Sequence, residues 1–300
     1  MFDKIIGNNE NKKILENMVK KQNIPHSYIF SGISGIGKLL FAKEFAKAIL
    51  CRDETIKPCN SCISCTSFEN SNNPDCIIID EQSESIKTEQ IKELTKSVLE
   101  KPIESCKKIY IINNSENMTK EAQNSLLKTL EEPPEYIVIL LITSNENMLL
   151  NTIKSRCMKL MFQPLSNNEI IEYFKRNNEQ IDEGMLDIFE GSIEKALEVK
   201  DKKEIYEKIS NEFKNIEEKS DIQILSLKEE LIQYKEEIYS LLDYINTIFY
   251  KKMLKNKEKV LSYQECIKSV EETKARLKRN ANFDMTIDFL LFSIERSMQI

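Results

Sequence analysis

A glycine-rich loop near the N-terminus constrains the fold more than any other feature of this sequence. Residues 32–40 read Gly-Ile-Ser-Gly-Ile-Gly-Lys-Leu-Leu and join the apolar run Tyr28 to Phe30 to a helical pattern from Lys38 to Leu50. Between a strand and a helix, such glycines let the backbone approach a phosphate, while amides and the helix N-terminus point at its oxygens. The residues predicted to form this phosphate-binding loop are Gly32, Gly35, Gly37 and Lys38.

Two positions depart from what ATP hydrolysis needs. The residue after the loop lysine should be Ser or Thr, whose hydroxyl binds Mg²⁺, but it is Leu39. A strand that carries the acidic metal-binding and water-activating residues should end in carboxylates, but the fitting strand, Lys108 to Ile112, ends in Asn113 and Asn114. These departures argue against hydrolysis by this chain. They leave open whether ATP or ADP binds the degenerate loop.

The first half of the chain alternates short β-branched runs with amphipathic helical patterns, which predicts a parallel α/β sheet covered by helices. The predicted strands are Tyr28 to Phe30, Cys76 to Ile79, Ile109 to Ile112, Ile137 to Thr143 and Met158 to Phe162. A further helical pattern is predicted from Met148 to Ser155. Beyond Pro164 the patterns are helical only, with a capping box at Ser166 and Glu169 and a long helical stretch from Ile222 to Tyr250. We therefore predict an α/β domain over residues 1–164, a small helical subdomain over 165–200 and an all-α domain over 201–300.

Four of the eight cysteines lie in one short run, with the spacing Cx7CxxCxxC. Four thiolates this close in sequence can complete a tetrahedral shell around Zn²⁺, and such a closed shell is structural. The predicted metal ligands of this module, residues 51–65, are Cys51, Cys59, Cys62 and Cys65. The alternative is a set of four thiols without metal.

Charge and hydropathy exclude several classes of protein. The chain holds 43 Lys and Arg against 49 Asp and Glu, a formal net charge of −6 at pH 7, so no global positive field draws it to nucleic acid or membranes. The longest apolar stretch, Tyr136 to Ile142, is too short to cross a bilayer. We expect a soluble, unprocessed cytoplasmic protein with no membrane partner, which contacts DNA only through a local patch or through partner proteins.

Two further motifs carry a family resemblance. The run Asn124 to Pro134 reads Asn-Ser-Leu-Leu-Lys-Thr-Leu-Glu-Glu-Pro-Pro, and Ser155-Arg156-Cys157 follows. Together with the degenerate loop and strand, these motifs resemble the bacterial clamp-loader subunits of the AAA+ ATPase class. The resemblance is specific up to the end of the predicted helical subdomain and rests beyond it on length and helicity. It implies an AAA+ P-loop domain, a helical lid and a C-terminal oligomerisation collar.

The resemblance also implies a function. It makes Arg156 an arginine finger that reaches the ATP of a neighbouring subunit, in a ring with the delta and gamma/tau subunits that loads a sliding clamp onto primer–template DNA. It places a polar phosphate sensor at Thr143 to Asn145, and a phosphate-binding arginine where this chain has Glu194. The expectation is a non-hydrolysing subunit. A hydrolysing gamma/tau-type ATPase and a zinc-bearing AAA+ adaptor outside replication are the alternatives.

Overall fold

A computed structural model describes residues 1–80, 85–181 and 183–298. Its sheet has five parallel strands, in the spatial order β2-β3-β4-β1-β5. The strands are β1 (Ser27–Ser31), β2 (Cys76–Asp80), β3 (Lys108–Asn113), β4 (Ile137–Thr143) and β5 (Met158–Met161). The predicted parallel sheet is thus confirmed, and β4 has the bounds expected from its apolar run.

Helices cover both faces of the sheet, because the central strands are buried on both sides. One core joins Phe30 and Ile111 to Leu15 and Phe45 on the first two helices; the opposite core centres on Tyr110 and Leu141. The helices of this part are α1 (Asn9–Lys20), α2 (Lys38–Leu50), α3 (Ile63–Glu69), α4 (Thr88–Ser97), α5 (Lys120–Glu131), α6 (Asn151–Lys154) and α7 (Asn167–Arg176).

The helix predicted from Met148 to Ser155 is wrong in extent. Residues 146–148 form a 3₁₀ turn, and α6 contains only residues 151–154. The break lies at Leu149 and Leu150, whose backbones are extended (ψ 139° and 142°). Leu149 is buried in the core that also holds Ile153, so burial of both side chains takes precedence over a continuous helix.

The C-terminal part of the chain is all helical, as predicted. Its helices are α8 (Ile193–Asp201), α9 (Lys203–Lys214), α10 (Asp221–Gln233), α11 (Ile238–Lys255), α12 (Val260–Lys278) and α13 (Phe283–Met298). The helical stretch predicted from Ile222 to Tyr250 divides into α10 and α11 around a 3₁₀ turn at residues 235–237. In its core Phe249 contacts Phe213 edge-to-face and Tyr263 at a tilt, with ring centroids 6.1 and 6.4 Å apart.

The chain forms two compact units, one with residues 1–183 and 190–194 and the other with residues 184–189 and 195–300. Helix α7 belongs to the unit that holds the sheet, and its capping box pairs Ser166 with Glu169 as predicted. The three-part division at residues 164 and 200 stays a prediction; Asp182 in the predicted lid and residues 299–300 of the predicted collar lie outside the described residues. Among the described helices, none is long and apolar enough to cross a membrane.

Candidate functional site

The phosphate-binding loop connects β1 to α2, and its lysine bonds to the loop itself. Gly35 and Gly37 have left-handed backbones (φ 75° and 87°), which explains glycine at both positions. The buried Lys38 donates from Nζ to the carbonyl oxygens of Gly32 (2.7 Å) and Ile33 (2.6 Å). Burial lowers the pKa of Lys38 to about 8, against the opposing effect of nearby carboxylates, so the ammonium is still protonated at pH 7.

A second segment, residues 192–194, covers this loop within the same unit. The backbone N–H of Ile193 donates to the carbonyl oxygen of Gly35 (2.9 Å), and the Ser34 hydroxyl donates to Oε2 of Glu194 (2.9 Å). The fit is tight, since a Cβ on Gly35 would lie 2.1 Å from the Ser192 hydroxyl oxygen. The contact places a carboxylate against the loop, where a bound phosphate would be repelled.

The two other departures are equally clear in the structure. The half-buried Leu39 packs against the hydrophobic core that contains Phe30 and Phe45. At the end of β3, the Asn113 amide donates from Nδ2 to Oδ1 of Asp80, the last residue of β2 (2.7 Å). The position expected to bind magnesium is therefore occupied by the apolar side chain of Leu39. The strand expected to end in carboxylates ends in the amide of Asn113.

Glu116 is a site residue that sequence reasoning missed. Its Oε1 accepts hydrogen bonds from the backbone N–H (2.9 Å) and the hydroxyl of Ser144, while its buried Oε2 lacks a hydrogen-bond partner among the described residues. Burial acts to raise the pKa of Glu116, but hydrogen bonds from Ser144, from its own backbone N–H and from Thr143 together hold that pKa below its usual value. The negative charge of Glu116 also acts to raise the pKa of Lys38, against the effect of burial. Glu116 follows the end of β3, where no sequence motif marked it as a functional residue.

The predicted phosphate sensor is engaged in local hydrogen bonds. The Thr143 hydroxyl accepts from the backbone N–H of Asn145 (3.0 Å), and Oδ1 of Asn145 accepts from that of Asn147 (3.2 Å). Ser144 bonds instead to Glu116, which follows β3, so all three side chains have hydrogen-bond partners within the protein.

Arg156 lies after α6, with its side chain 34% exposed. Its Nη1 donates to the carbonyl oxygen of Thr152 (2.8 Å) and to the Ser155 hydroxyl (3.4 Å), and its Nη2 donates to Oε1 of Glu131 (2.6 Å). The arginine of one predicted motif is thus paired with a glutamate of the other, a contact that sequence spacing does not reveal. The guanidinium lies at the surface of the unit that holds the sheet.

The four cysteines of the 51–65 module come together. Cys51 caps the end of α2, Cys62 caps the start of α3 and Cys65 lies within α3. Their sulfur atoms all lie within 4.8 Å of one another, with Cys59 and Cys65 4.0 Å apart. A tetrahedral zinc–thiolate site with bonds of about 2.3 Å has sulfur–sulfur edges of about 3.8 Å. The cluster therefore fits a metal ion such as zinc after a small contraction.

Hydrogen bonds favour thiolate at part of this cluster. The backbone and hydroxyl of Ser61 lower the pKa of Cys59 to about 6, whereas burial raises the pKa of Cys51. The backbone N–H groups of Cys59 and Cys62 donate to the sulfurs of Cys51 and Cys59, each at 3.3 Å. Such N–H···S contacts stabilise negative charge on sulfur, which metal binding requires.

A buried lysine, also missed from the sequence, ties the module to α2. Lys47 is 4% exposed; it donates from Nζ to Oδ1 of Asn60 (2.6 Å) and forms an ion pair with Glu69 at the end of α3. One charge thus joins α2, the turn between two cysteines and the helix that carries Cys65. The cysteine module is packed against the same helix that begins at the phosphate-binding loop.

Comparisons with known proteins place these features in a family. The family model described as "DNA polymerase III, delta subunit" matches residues 7–166. The chain is 42% identical to DNA polymerase III subunit delta' of Bacillus subtilis over 153 residues, 51% of this chain and 46% of that protein. It is 34% identical to the gamma/tau subunit of Mycoplasma genitalium over 209 residues, 67% of this chain and 35% of that protein. The chain thus spans less than half the length of these curated relatives.

Among solved structures, a gamma subunit-related protein of Thermotoga maritima aligns with 94% of this chain and 99% of its own, at 19% identity and a TM-score of 0.49. The family assignment rests instead on the matched residues, which include the loop at 32–40, the cysteine module and the Ser155–Cys157 motif. Because the family model matches more than half of its residues, this chain belongs to the DNA polymerase III delta-type clamp-loader subunits of the AAA+ class, and it is similar to delta prime.

Proposed function

We propose that this chain is a non-hydrolysing, delta prime-type subunit of a bacterial clamp loader, and that it supplies Arg156 to the ATP site of a neighbouring subunit. In this role it completes a ring with delta and gamma/tau subunits. The assembled ring opens the sliding clamp and releases it onto primer–template DNA. The chain acts in the cytoplasm and contacts clamp and DNA through the complex.

The observation that carries this proposal is the contrast between Arg156 and the chain's own loop. Leu39 and Asn113 cannot supply the magnesium ligand and the carboxylate that hydrolysis needs, and Glu194 adds negative charge beside Lys38. Arg156 is one-third exposed and bonded to its own surface neighbours. An arginine finger without a working site of its own is useful only to the site of another subunit.

Zinc is the metal we propose for the cysteine cluster, in a structural role. Four sulfur ligands leave no open coordination position for a substrate or water, and the sulfur spacing suits tetrahedral coordination. The module would then fix the end of α2 against α3 and take no part in ATP chemistry.

An active gamma/tau-type ATPase is the second candidate, and two observations favour it. Lys38 is retained in the loop, and relatives named gamma/tau share 34–35% identity with this chain. An ATPase of that type would need nucleotide to displace Glu194 and to bind magnesium without a hydroxyl at Leu39.

Steady-state ATP turnover of the purified chain separates the two candidates. We expect no turnover above that of Lys38→Ala, with or without primed DNA and clamp, and co-purification with delta and gamma/tau subunits. Turnover that Lys38→Ala abolishes would establish the gamma/tau-type candidate. A failure to co-purify with either subunit would point to the adaptor outside replication.

A further inference from the structure

The guanidinium of Arg156 is held at the ends of two helices. On one side it donates to the carbonyl oxygen of Thr152, one of the last carbonyls of α6 (2.8 Å). On the other it donates to the carboxylate of Glu131, the final residue of α5 (2.6 Å). Each contact satisfies a group that a helix C-terminus leaves without a partner or exposes to unfavourable charge.

Glu131 is an unexpected residue at its position. The C-terminus of a helix carries partial negative charge, so a carboxylate there is unfavourable unless a cation compensates it. Lys128 lies in the same last turn of α5, but the cation that bonds to the Glu131 carboxylate is Arg156. The pair reaches solvent, with side-chain exposures of 34% for Arg156 and 49% for Glu131, so it contributes little to the stability of the fold.

The contacts leave part of the guanidinium fork for another ligand. A guanidinium carries five N–H donors, and the hydrogen bonds to Thr152, Ser155 and Glu131 account for three of them. Arginine side chains are flexible, and a donor fork is useful to a phosphate only when it is held in place. A carboxylate bonded to one side of the fork restrains its plane, while the Arg156 side chain stays one-third exposed.

We propose that Glu131 is a positioning residue for Arg156, which holds the guanidinium in the orientation that meets a phosphate on a neighbouring subunit. This inference rests on the proposed function of Arg156. It adds that the glutamate of one motif and the arginine of the other act as a single unit. Loss of Glu131 would leave the finger present but poorly oriented.

The test is a mutant cycle in the reconstituted clamp-loader complex, read as DNA- and clamp-stimulated ATPase. Glu131→Ala is expected to lower kcat by roughly half or more of the drop caused by Arg156→Ala, with KM for ATP unchanged. The double variant is expected to be no slower than Arg156→Ala alone, because Glu131 acts only through the arginine. Glu131→Gln should retain part of the rate, since its amide oxygen still accepts a hydrogen bond.

The neighbouring Glu132→Ala is the matched control, because Glu132 is an exposed carboxylate of the same motif; it is expected to leave kcat unchanged. Wild-type rates for Glu131→Ala, higher rates, or a double variant slower than Arg156→Ala would each overturn the positioning role while leaving the finger intact. If Arg156→Ala itself has no effect, the proposed function fails, and the role of Glu131 fails with it.

Discussion

The loop at residues 32–40 and the surface around Arg156 lie in the same unit, and they differ in what they retain of the AAA+ pattern. The loop keeps its backbone, with glycines in left-handed conformations and a lysine at its end, but its polar groups bond to one another and to Glu194. The Arg156 surface keeps its chemistry, a guanidinium that is oriented by two helix ends and partly exposed.

A degenerate motif can keep its backbone shape for reasons of folding alone. The loop's backbone conformation requires its glycines, and the fold requires the packing of the strand against the helix, whether or not a nucleotide binds. An exposed arginine has no such structural requirement, since a surface ion pair contributes little to stability. Retained shape at the loop is therefore weak support for ATP binding, whereas retained chemistry at Arg156 is stronger support for function in a complex.

Metal loss is expected to give the largest effect, because the cysteine module packs against α2, the helix that begins at the loop. Metal analysis of the wild-type chain is expected to give about one zinc ion per chain. Cys62→Ser is expected to release that ion. Deuterium exchange should then rise strongly over residues 51–69, where Lys47 and the cysteines hold α2 to α3, but not over 151–158. Cys106→Ser, an exposed cysteine outside the cluster, is the control. A folded, metal-free wild-type chain from zinc-replete cells would refute the assignment.

Restoring the missing groups of the loop tests whether their absence prevents ATP binding. A chain with Leu39→Thr, Asn113→Asp, Asn114→Glu and Glu194→Arg regains a magnesium ligand and carboxylates and loses the charge that opposes phosphate. We expect it to bind ATP at least a hundredfold more tightly than wild type, a change of about 2.8 kcal/mol, by fluorescent-nucleotide titration. Adding Lys38→Ala should remove the gain. ATP binding by the wild-type chain as tight as that of the restored chain would show that Leu39, Asn113, Asn114 and Glu194 do not prevent nucleotide binding.

The smallest expected difference between the two regions is in the free energy of unfolding that a substitution removes. Lys38 is buried and bonds two carbonyl groups, so Lys38→Ala is expected to lower the free energy of unfolding by about 1–2 kcal/mol. Arg156→Ala removes an exposed pair and is expected to cost less than about 1 kcal/mol. Urea denaturation of the isolated chain measures both. Equal costs at the two sites would contradict the assignment of Lys38 to structure and Arg156 to function.

Much of the fold follows from local patterns in the sequence. Helix α2 has the predicted bounds, because an uninterrupted apolar periodicity begins at the loop lysine. The cysteine cluster was predictable for a similar reason, since its spacing brings the ligands together without distant contacts. Helix α1 was not predicted, although Asn11, Leu15 and Val19 recur at a spacing of four on its buried face; it begins after Asn8, whose side chain bonds to Gln163 and does not cap the helix.

The pairings that define the candidate site were beyond reach of the sequence. Glu131 and Arg156 are 25 residues apart, and Ser34 and Glu194 are 160 apart. Helical or strand periodicity determines which face of an element is buried, but it does not determine which exposed charges meet across a fold. The departures at Leu39 and Asn113 could be read from the sequence as missing groups, whereas the contacts that replaced them required the tertiary structure.

The most direct measurement is the DNA- and clamp-stimulated ATPase of a reconstituted complex that contains Arg156→Ala, with the gamma/tau and delta subunits unchanged. We predict normal assembly and a partial loss of ATPase, because one interface loses its finger while the others keep theirs, and poor rescue by Arg156→Lys, because an ammonium lacks the planar fork. Unaltered ATPase and clamp loading by the Arg156→Ala complex would contradict the account and leave the motif with a structural role.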